Sequence, residues 1–186
     1  MLWNRKFVIV SVVVSLLNSR TLFTSSALFS FCESHHIQAP GFSLKNQAGQ
    51  TIALKDFSGK KNVVVYFYPK ALTPGCTTQA CGLRDIKQEL ADRDTVVLGI
   101  SPDPEAKLQK FIDKYKLNFD LLADEDHATA EKYGVWGLKK FMGKEFMGIA
   151  RTTFIIDKES RLVAIMDKFK TSNHHDELLK CLDESL

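Results

Sequence analysis

Tyr66-Phe67-Tyr68-Pro69-Lys70-Ala71-Leu72-Thr73-Pro74-Gly75-Cys76-Thr77-Thr78-Gln79-Ala80-Cys81 begins as the end of an apolar strand, breaks at two prolines and a glycine, and delivers a cysteine to the start of a helix. A second cysteine follows five residues on. The start of a helix carries partial positive charge, because its first N–H groups have no intrahelical acceptor. A thiolate, not a thiol, is the nucleophile, and cysteines at such a position hold the thiolate form more readily. The pattern reads as a reactive thiol rather than a buried one. Pro74-Gly75 reads as the end of the preceding loop, and Gln79 as a capping-box partner reaching back to the first turn. Apolar spacing at Ala80, Leu83, Ile86 and Leu90 predicts one helix from about Cys76 to Ala91 with that face inward. Cys81 falls off this stripe, on the accessible side.

In an intact helix a five-residue offset separates two positions by about 7.5 Å of rise and roughly 140° of rotation. A disulfide holds its Cα atoms within about 4.4–6.8 Å of each other. Cys76 and Cys81 therefore cannot bond unless the first turn or two of the helix unwinds. A pair that must unfold locally to bond suits a transient disulfide better than a permanent staple.

Upstream, Val63 to Tyr68 is a continuous apolar, β-rich run, as expected of a central strand buried on both faces. Phe42-Ser43-Leu44 and Thr51-Ile52-Ala53-Leu54 flank Asn46-Gln47-Ala48-Gly49 as a β-hairpin, and Phe57-Ser58-Gly59-Lys60 reads as a turn. Downstream, Val96 to Ile100 is a second buried strand that ends in Ser101-Pro102-Asp103-Pro104. Leu108, Phe111, Ile112 and Tyr115 mark an amphipathic helix. Leu117 to Leu122 is strand-like, and a small helix surrounds His127 to Tyr133. Gly134 to Gly148 holds four glycines and little periodicity, which predicts a loop. Thr152 to Ile156 and Leu162 to Met166 alternate around Asp157-Lys158-Glu159-Ser160 as a second hairpin. Ser172 or Asn173 caps a last helix with Leu178, Leu179 and Leu182 inward. Strands alternating with helices, closed by a hairpin and a helix, predict an α/β sandwich on a mixed sheet.

At 186 residues, 45% apolar and 25% charged, the chain has an ordinary globular composition with room for a substantial core. The formal charge of +3 sits in residues 1–32, which hold Arg5, Lys6 and Arg20 and no acid; the remaining 22 basic and 22 acidic residues cancel. No basic patch with interleaved aromatics points to nucleic acid. Residues 1–36 read as a leader and 37–186 as the folded domain. A basic start, the 11-residue apolar run from Phe7 to Leu17 and the small residues Ser25-Ser26-Ala27 resemble a secretory signal. The run is shorter than the roughly 20 apolar residues of a bilayer span. The expectation is a cytoplasmic protein with an inert or spurious leader; export or an organellar transit peptide is the alternative.

Pro69-x-x-x-Thr73-x-x-Cys76 resembles the active-site signature of the peroxiredoxins. The second cysteine at Cys81 is similar to the subgroup called bacterioferritin comigratory protein or peroxiredoxin Q. The likeness runs from about Ala39 to the C-terminus and includes Asp124-Glu125-Asp126-His127, Tyr133-Gly134-Val135-Trp136-Gly137, Phe141-Met142-Gly143-Lys144 and Thr171-Ser172-Asn173-His174-His175-Asp176. It implies a thioredoxin-like fold, a central mixed β-sheet flanked by helices. It also implies roles: Cys76 as the peroxidatic cysteine and Cys81 as the resolving one, Thr73 bonded to thiolate and peroxide, and Pro69 shielding the site from water. The family's arginine, on a later strand, matches Arg151. The implied reaction is reduction of hydrogen peroxide and organic hydroperoxides through a Cys76 sulfenic acid and a Cys76–Cys81 disulfide. Thioredoxin or a similar dithiol would reduce that disulfide, in a monomer with no metal, haem or flavin cofactor.

Two other readings use the same fold. A copper-handling metallochaperone would have three residues between its cysteines and no need of Pro69 and Thr73. A general thiol–disulfide oxidoreductase would have two residues between them. The His35-His36 and His174-His175 pairs lack zinc-site spacing and read as surface or capping residues. Cys32 reads as incidental, Cys181 as a core residue, and Asp124-Glu125-Asp126 as a solvated turn at a helix start.

Overall fold

The computed structural model describes residues 37–141 and 143–186. The leader with Cys32, His35 and His36 lies outside the described residues, as does Met142. The elements are β1 (Ser43–Asn46), β2 (Thr51–Ala53), β3 (Asn62–Phe67), α1 (Pro74–Asp85), α2 (Lys87–Ala91), β4 (Thr95–Ser101), α3 (Glu105–Tyr115), β5 (Asp120–Ala123), α4 (Ala128–Lys132), β6 (Trp136–Phe141), β7 (Lys144–Ile149), β8 (Thr152–Ile156), β9 (Leu162–Met166) and α5 (His174–Ser185).

β3, buried at every position, lies inside a seven-stranded sheet of order β2-β1-β5-β4-β3-β8-β9. β3, β4 and β5 run parallel, while β8 lies antiparallel to β3 and β9 antiparallel to β8. The β1–β2 hairpin closes the other edge, with β1 antiparallel to β5. Val64, Tyr66 and Tyr68 face a layer built from Leu83 of α1, Leu90 of α2, Leu108 and Phe111 of α3, and Leu178 and Leu182 of α5. Val63, Val65 and Phe67 face the opposite side, against Phe42, Ala130 of α4, Tyr133 and Phe154. A parallel core covered on both faces explains why β3 and β4 read as unbroken apolar runs. Gly99, paired with Tyr66, lets that ring lie across β4: a Cβ there would stand 2.8 Å from the ring and 2.7 Å from Leu121.

The twelve-residue α5 would be marginal alone. Leu178 and Leu182, fully buried and each contributing about 1.5–3 kcal/mol, dock it. Among the described residues no helix is long and apolar enough to cross a membrane.

Several local expectations are corrected. The single helix from Cys76 to Ala91 is two, broken at Ile86. Asn118 Nδ2 donates to the Arg84 carbonyl at 3.0 Å and occupies the acceptor that the next turn would use. Pro74 is not loop but the first helical residue, where its missing N–H and fixed φ fit. The segment Gly134 to Gly148 is not a loop: β6 and β7 pair antiparallel around a two-residue connection, with Gly143 at φ 78°. Its glycines and lysines leave no alternating apolar pattern for a propensity reading to find. β8 is buried throughout rather than alternating, because it lies between β3 and β9. Asp124 is fully buried, not solvated, and its carboxylate accepts the Thr129 and Ala130 N–H groups at the start of α4. Asn173 stands at the N-cap of α5 but makes no cap bond; its amide donates to Glu177 Oε1 at 2.8 Å.

Candidate active site

Tyr68 still donates its N–H to Ile100 O at 3.1 Å, and Pro69, half-buried and without an N–H, ends the β3 ladder. The chain then crosses to α1 through Lys70–Thr73, with Leu72 in the left-handed region at φ 67°. A non-glycine residue there is strained and persists only where its surroundings hold it. Asp103, just beyond β4, supplies that hold. Its buried carboxylate accepts Ala71 N–H at 2.6 Å and Ser101 Oγ–H at 3.0 Å, and pairs with Lys107. Thr73, the N-cap residue, donates its hydroxyl to Lys70 O at 2.9 Å.

With Pro74 first in α1, Cys76 is the third helical residue, still within the turn whose N–H groups lack intrahelical acceptors. Its side chain is 1% exposed, so the sulfur expected to be open is buried. The neighbours of that sulfur are polar. Phe67, at the end of β3, pairs with Thr152, at the start of β8. That register brings Arg151 to the mouth of α1, in the short link before β8 rather than on a strand. Arg151 Nη2 donates to Cys76 Sγ at 3.2 Å, and Nη1 donates to Gln79 Oε1.

Gln79 is therefore no capping partner. It is buried three residues after Cys76, and its amide Nε2 lies 3.3 Å from His174 Nδ1. His174 Nε2 lies 2.9 Å from Thr153 Oγ1. Because Gln79 Oε1 accepts from Arg151, Gln79 Nε2 must donate, and His174 Nδ1 must accept. The ring proton then sits on Nε2, facing Thr153. Burial, the Arg151 guanidinium and His175 hold the His174 pKa down to about 3, so the ring is neutral. His174 is thus a core residue packed against Phe169, with the rings tilted and 4.2 Å apart between centroids, not a surface or capping one.

Cys81, on the same helix as Cys76, is half-buried, and both are free thiols. Beneath α1, Tyr66 stacks on Tyr68 at 5.3 Å, and its buried hydroxyl has no hydrogen-bond partner. Burial, Tyr68 and Cys76 push that phenol well above its ordinary pKa, which keeps it neutral. Cys181 lies half-buried against the core, as expected. Among the described residues no group of three or more His, Cys, Asp or Glu side chains could hold a metal ion.

Pro69, Thr73, Cys76 and Arg151 thus converge at one end of the sheet, with Cys81 farther along α1. Gln79, Thr153, His174 and Asp103 were not anticipated. His174 carried a readable signal, because it shares the i, i+4, i+8 stripe of Leu178 and Leu182. Gln79 carried a weaker one, at i+3 from Cys76 on the same helical side. Asp103 had local partners in Ser101 and Lys107, but nothing near it in sequence points to Ala71; Thr153 carried no signal, since its partner comes from another segment.

The AhpC/TSA family model matches residues 36–165. Peroxiredoxin Bcp of Escherichia coli (strain K12) is 55% identical over 146 residues, covering 78% of this chain and 93% of that protein. The crystal structure of peroxidoxin BcpB from Mycobacterium tuberculosis superposes with a TM-score of 0.70 at 34% identity, over 79% of this chain and 94% of that one. A Xanthomonas campestris bacterioferritin comigratory protein, solved in a study of its alkyl peroxide reduction, gives 0.72 at 28% identity over 89% and 98%. With a mixed sheet of the thioredoxin-like kind and a cysteine held under an arginine at a helix mouth, the chain belongs to the AhpC/TSA family, in its bacterioferritin comigratory protein and peroxiredoxin Q group of thiol peroxidases.

Proposed function

We propose that the peroxidase activity of this protein runs through Cys76 as peroxidatic and Cys81 as resolving cysteine. The observation that carries the assignment is the Arg151 guanidinium donating to Cys76 Sγ at 3.2 Å within the first turn of α1. A cation and helix-start N–H groups around one sulfur suit an anionic nucleophile and a developing oxyanion. The Cys76 thiolate attacks the terminal oxygen of a hydroperoxide. An S–O bond forms and the O–O bond breaks, and the leaving alkoxide or hydroxide takes a proton to give alcohol or water. Cys76 is left as a sulfenic acid. Arg151 and the N–H groups at the start of α1 face the negative charge that develops. Pro69 limits water at the sulfur, and Thr73, on the strained loop that Asp103 anchors, donates its hydroxyl to Lys70 O and keeps the oxygen's lone pairs to accept from the peroxide O–H.

The α1 start then unwinds, the Cys81 thiol attacks the sulfenic sulfur, water leaves, and a Cys76–Cys81 disulfide forms. Both cysteines belong to one helix, so the cycle needs no second copy of the chain. Thioredoxin or a similar dithiol returns the disulfide to two thiols and is itself oxidised. The alkyl peroxide activity named for the Xanthomonas campestris relative supports organic hydroperoxides as substrates beside hydrogen peroxide. A copper-carrier role fits less well, because a guanidinium bonded to the sulfur repels a metal cation. Peroxide consumption driven by a thioredoxin system tests the reading. Cys76→Ser should abolish turnover, and Cys81→Ser should consume one equivalent and stall as sulfenic acid, read by mass spectrometry. Full turnover by Cys76→Ser would refute the assignment.

A further inference from the structure

Gln79 lies between the two cysteines on α1 and carries two bonds that have nothing to do with the helix itself. One goes to Arg151, the other to His174. His174 belongs to α5 and reaches Thr153 in β8 with its second nitrogen, so it ties α1 to the sheet. The next residue, His175, lies over the same helix: a Cβ on Gly82 would stand 2.6 Å from its Nδ1. The two histidines thus meet α1 on either side of Cys81, at Gln79 and at Gly82. Unwinding that runs past the first turn of α1 to bring Cys81 to Cys76 passes through Gln79 and pulls on its bond to His174. The same bond fixes the Gln79 amide, whose oxygen holds Arg151 beside the sulfur.

We propose that His174 is a positioning residue that latches α1 in its helical form, holding Arg151 on the Cys76 sulfur for peroxide attack and slowing the unwinding that lets Cys81 form the disulfide. This rests on the assignment of Cys76 and Cys81 made above. The latch acts in opposite directions on the two steps: it speeds the first and delays the second. It also sets exposure to overoxidation. A sulfenic acid waiting in the helical site can react with a second peroxide, which breaks its O–O bond, transfers one oxygen to give the sulfinic acid and leaves as alcohol or water.

The test is rapid mixing of the full-length protein with peroxide, quenched by alkylation, with sulfenic acid, disulfide and sulfinic acid at Cys76 counted by mass spectrometry. His174→Phe keeps a ring and loses both bonds. It should slow sulfenic acid formation about tenfold, as misplacement of Arg151 demands. It should speed disulfide formation about fivefold, the population change expected from one lost buried hydrogen bond. The sulfinic fraction at high peroxide should fall. His174→Gln, which can accept from Gln79 and donate to Thr153, should restore both rates to within about twofold of wild type. Should His174→Phe fail to fold, Thr153→Val removes one bond with little change in volume, and the same split in rates is expected. Rates that fall together, rates that do not move, or a His174→Gln variant no better than His174→Phe would overturn the latch. The wild-type trace separates the two claims: if it forms no Cys76 sulfenic acid, the underlying assignment fails. If it shows both steps but the variants do not split them, only the latch fails.

Discussion

Arg151 holds two acceptors at once, the Cys76 sulfur and the Gln79 amide oxygen, and a guanidinium does this because its N–H groups form a rigid planar fork. Lysine carries the same charge on a single flexible tip and cannot keep both bonds in one geometry. Arg151→Lys should therefore lower kcat/KM for peroxide by about 10²-fold, the usual consequence of losing one preorganised donor, as measured by competition kinetics against a peroxidase of known rate. An unchanged rate would show that charge alone suffices. At this scale Cys76 and Cys81 were legible as a reactive pair, since a thiol after Pro-Gly at a helix start declares itself locally, while the roles of Thr73 and Pro69 came only with the resemblance. Arg151 was reached only by resemblance, and Gln79 was misread as a cap. Nothing near either residue in sequence reveals a partner 72 positions away.

α1 is where element-scale reasoning was half right. Its apolar stripe at Ala80 and Leu83 is buried, yet the helix starts at Pro74 and stops at Asp85, where an asparagine from another segment intercepts a carbonyl. Gly82 illustrates how packing overrides propensity. Alanine is a better helix former by about 1 kcal/mol. The added methyl, however, would press on the His175 ring at 2.6 Å from Nδ1 and 3.1 Å from Cγ. Overpacking of this kind costs about 1–3 kcal/mol, so Gly82→Ala should lower Tm rather than raise it, measured by thermal unfolding. A raised Tm would mean that His175 moves aside freely. The β6–β7 hairpin was invisible for the reverse reason: a two-stranded ribbon outside the main sheet buries too little to leave an alternating apolar pattern.

For the molecule as a whole, a neutral histidine buried among Gln79, Thr153 and Phe169, with Arg151 and His175 as its charged or titratable neighbours, links folding to pH. Its folded value lies near 3, against 6.5 when exposed. Between those values the unfolded chain binds a proton that the folded chain refuses, so stability falls as pH falls. The slope for one such group reaches about 1.4 kcal/mol per pH unit. Denaturant unfolding from pH 7 to 4 should show His174→Gln less stable than wild type at pH 7 but losing less with acid. Parallel curves would count against a buried neutral ring. Read alone, the sequence determined the alternation of strands and helices, the two-sided core around Val63 to Tyr68 and the delivery of Cys76 to a helix mouth, because hydrophobic period and Pro-Gly punctuation are local signals. Only the tertiary structure decided what surrounds that sulfur. Strand register brings Arg151 beside it, and the docking of α5 brings His174 to Gln79, both through contacts between segments that sequence spacing does not connect.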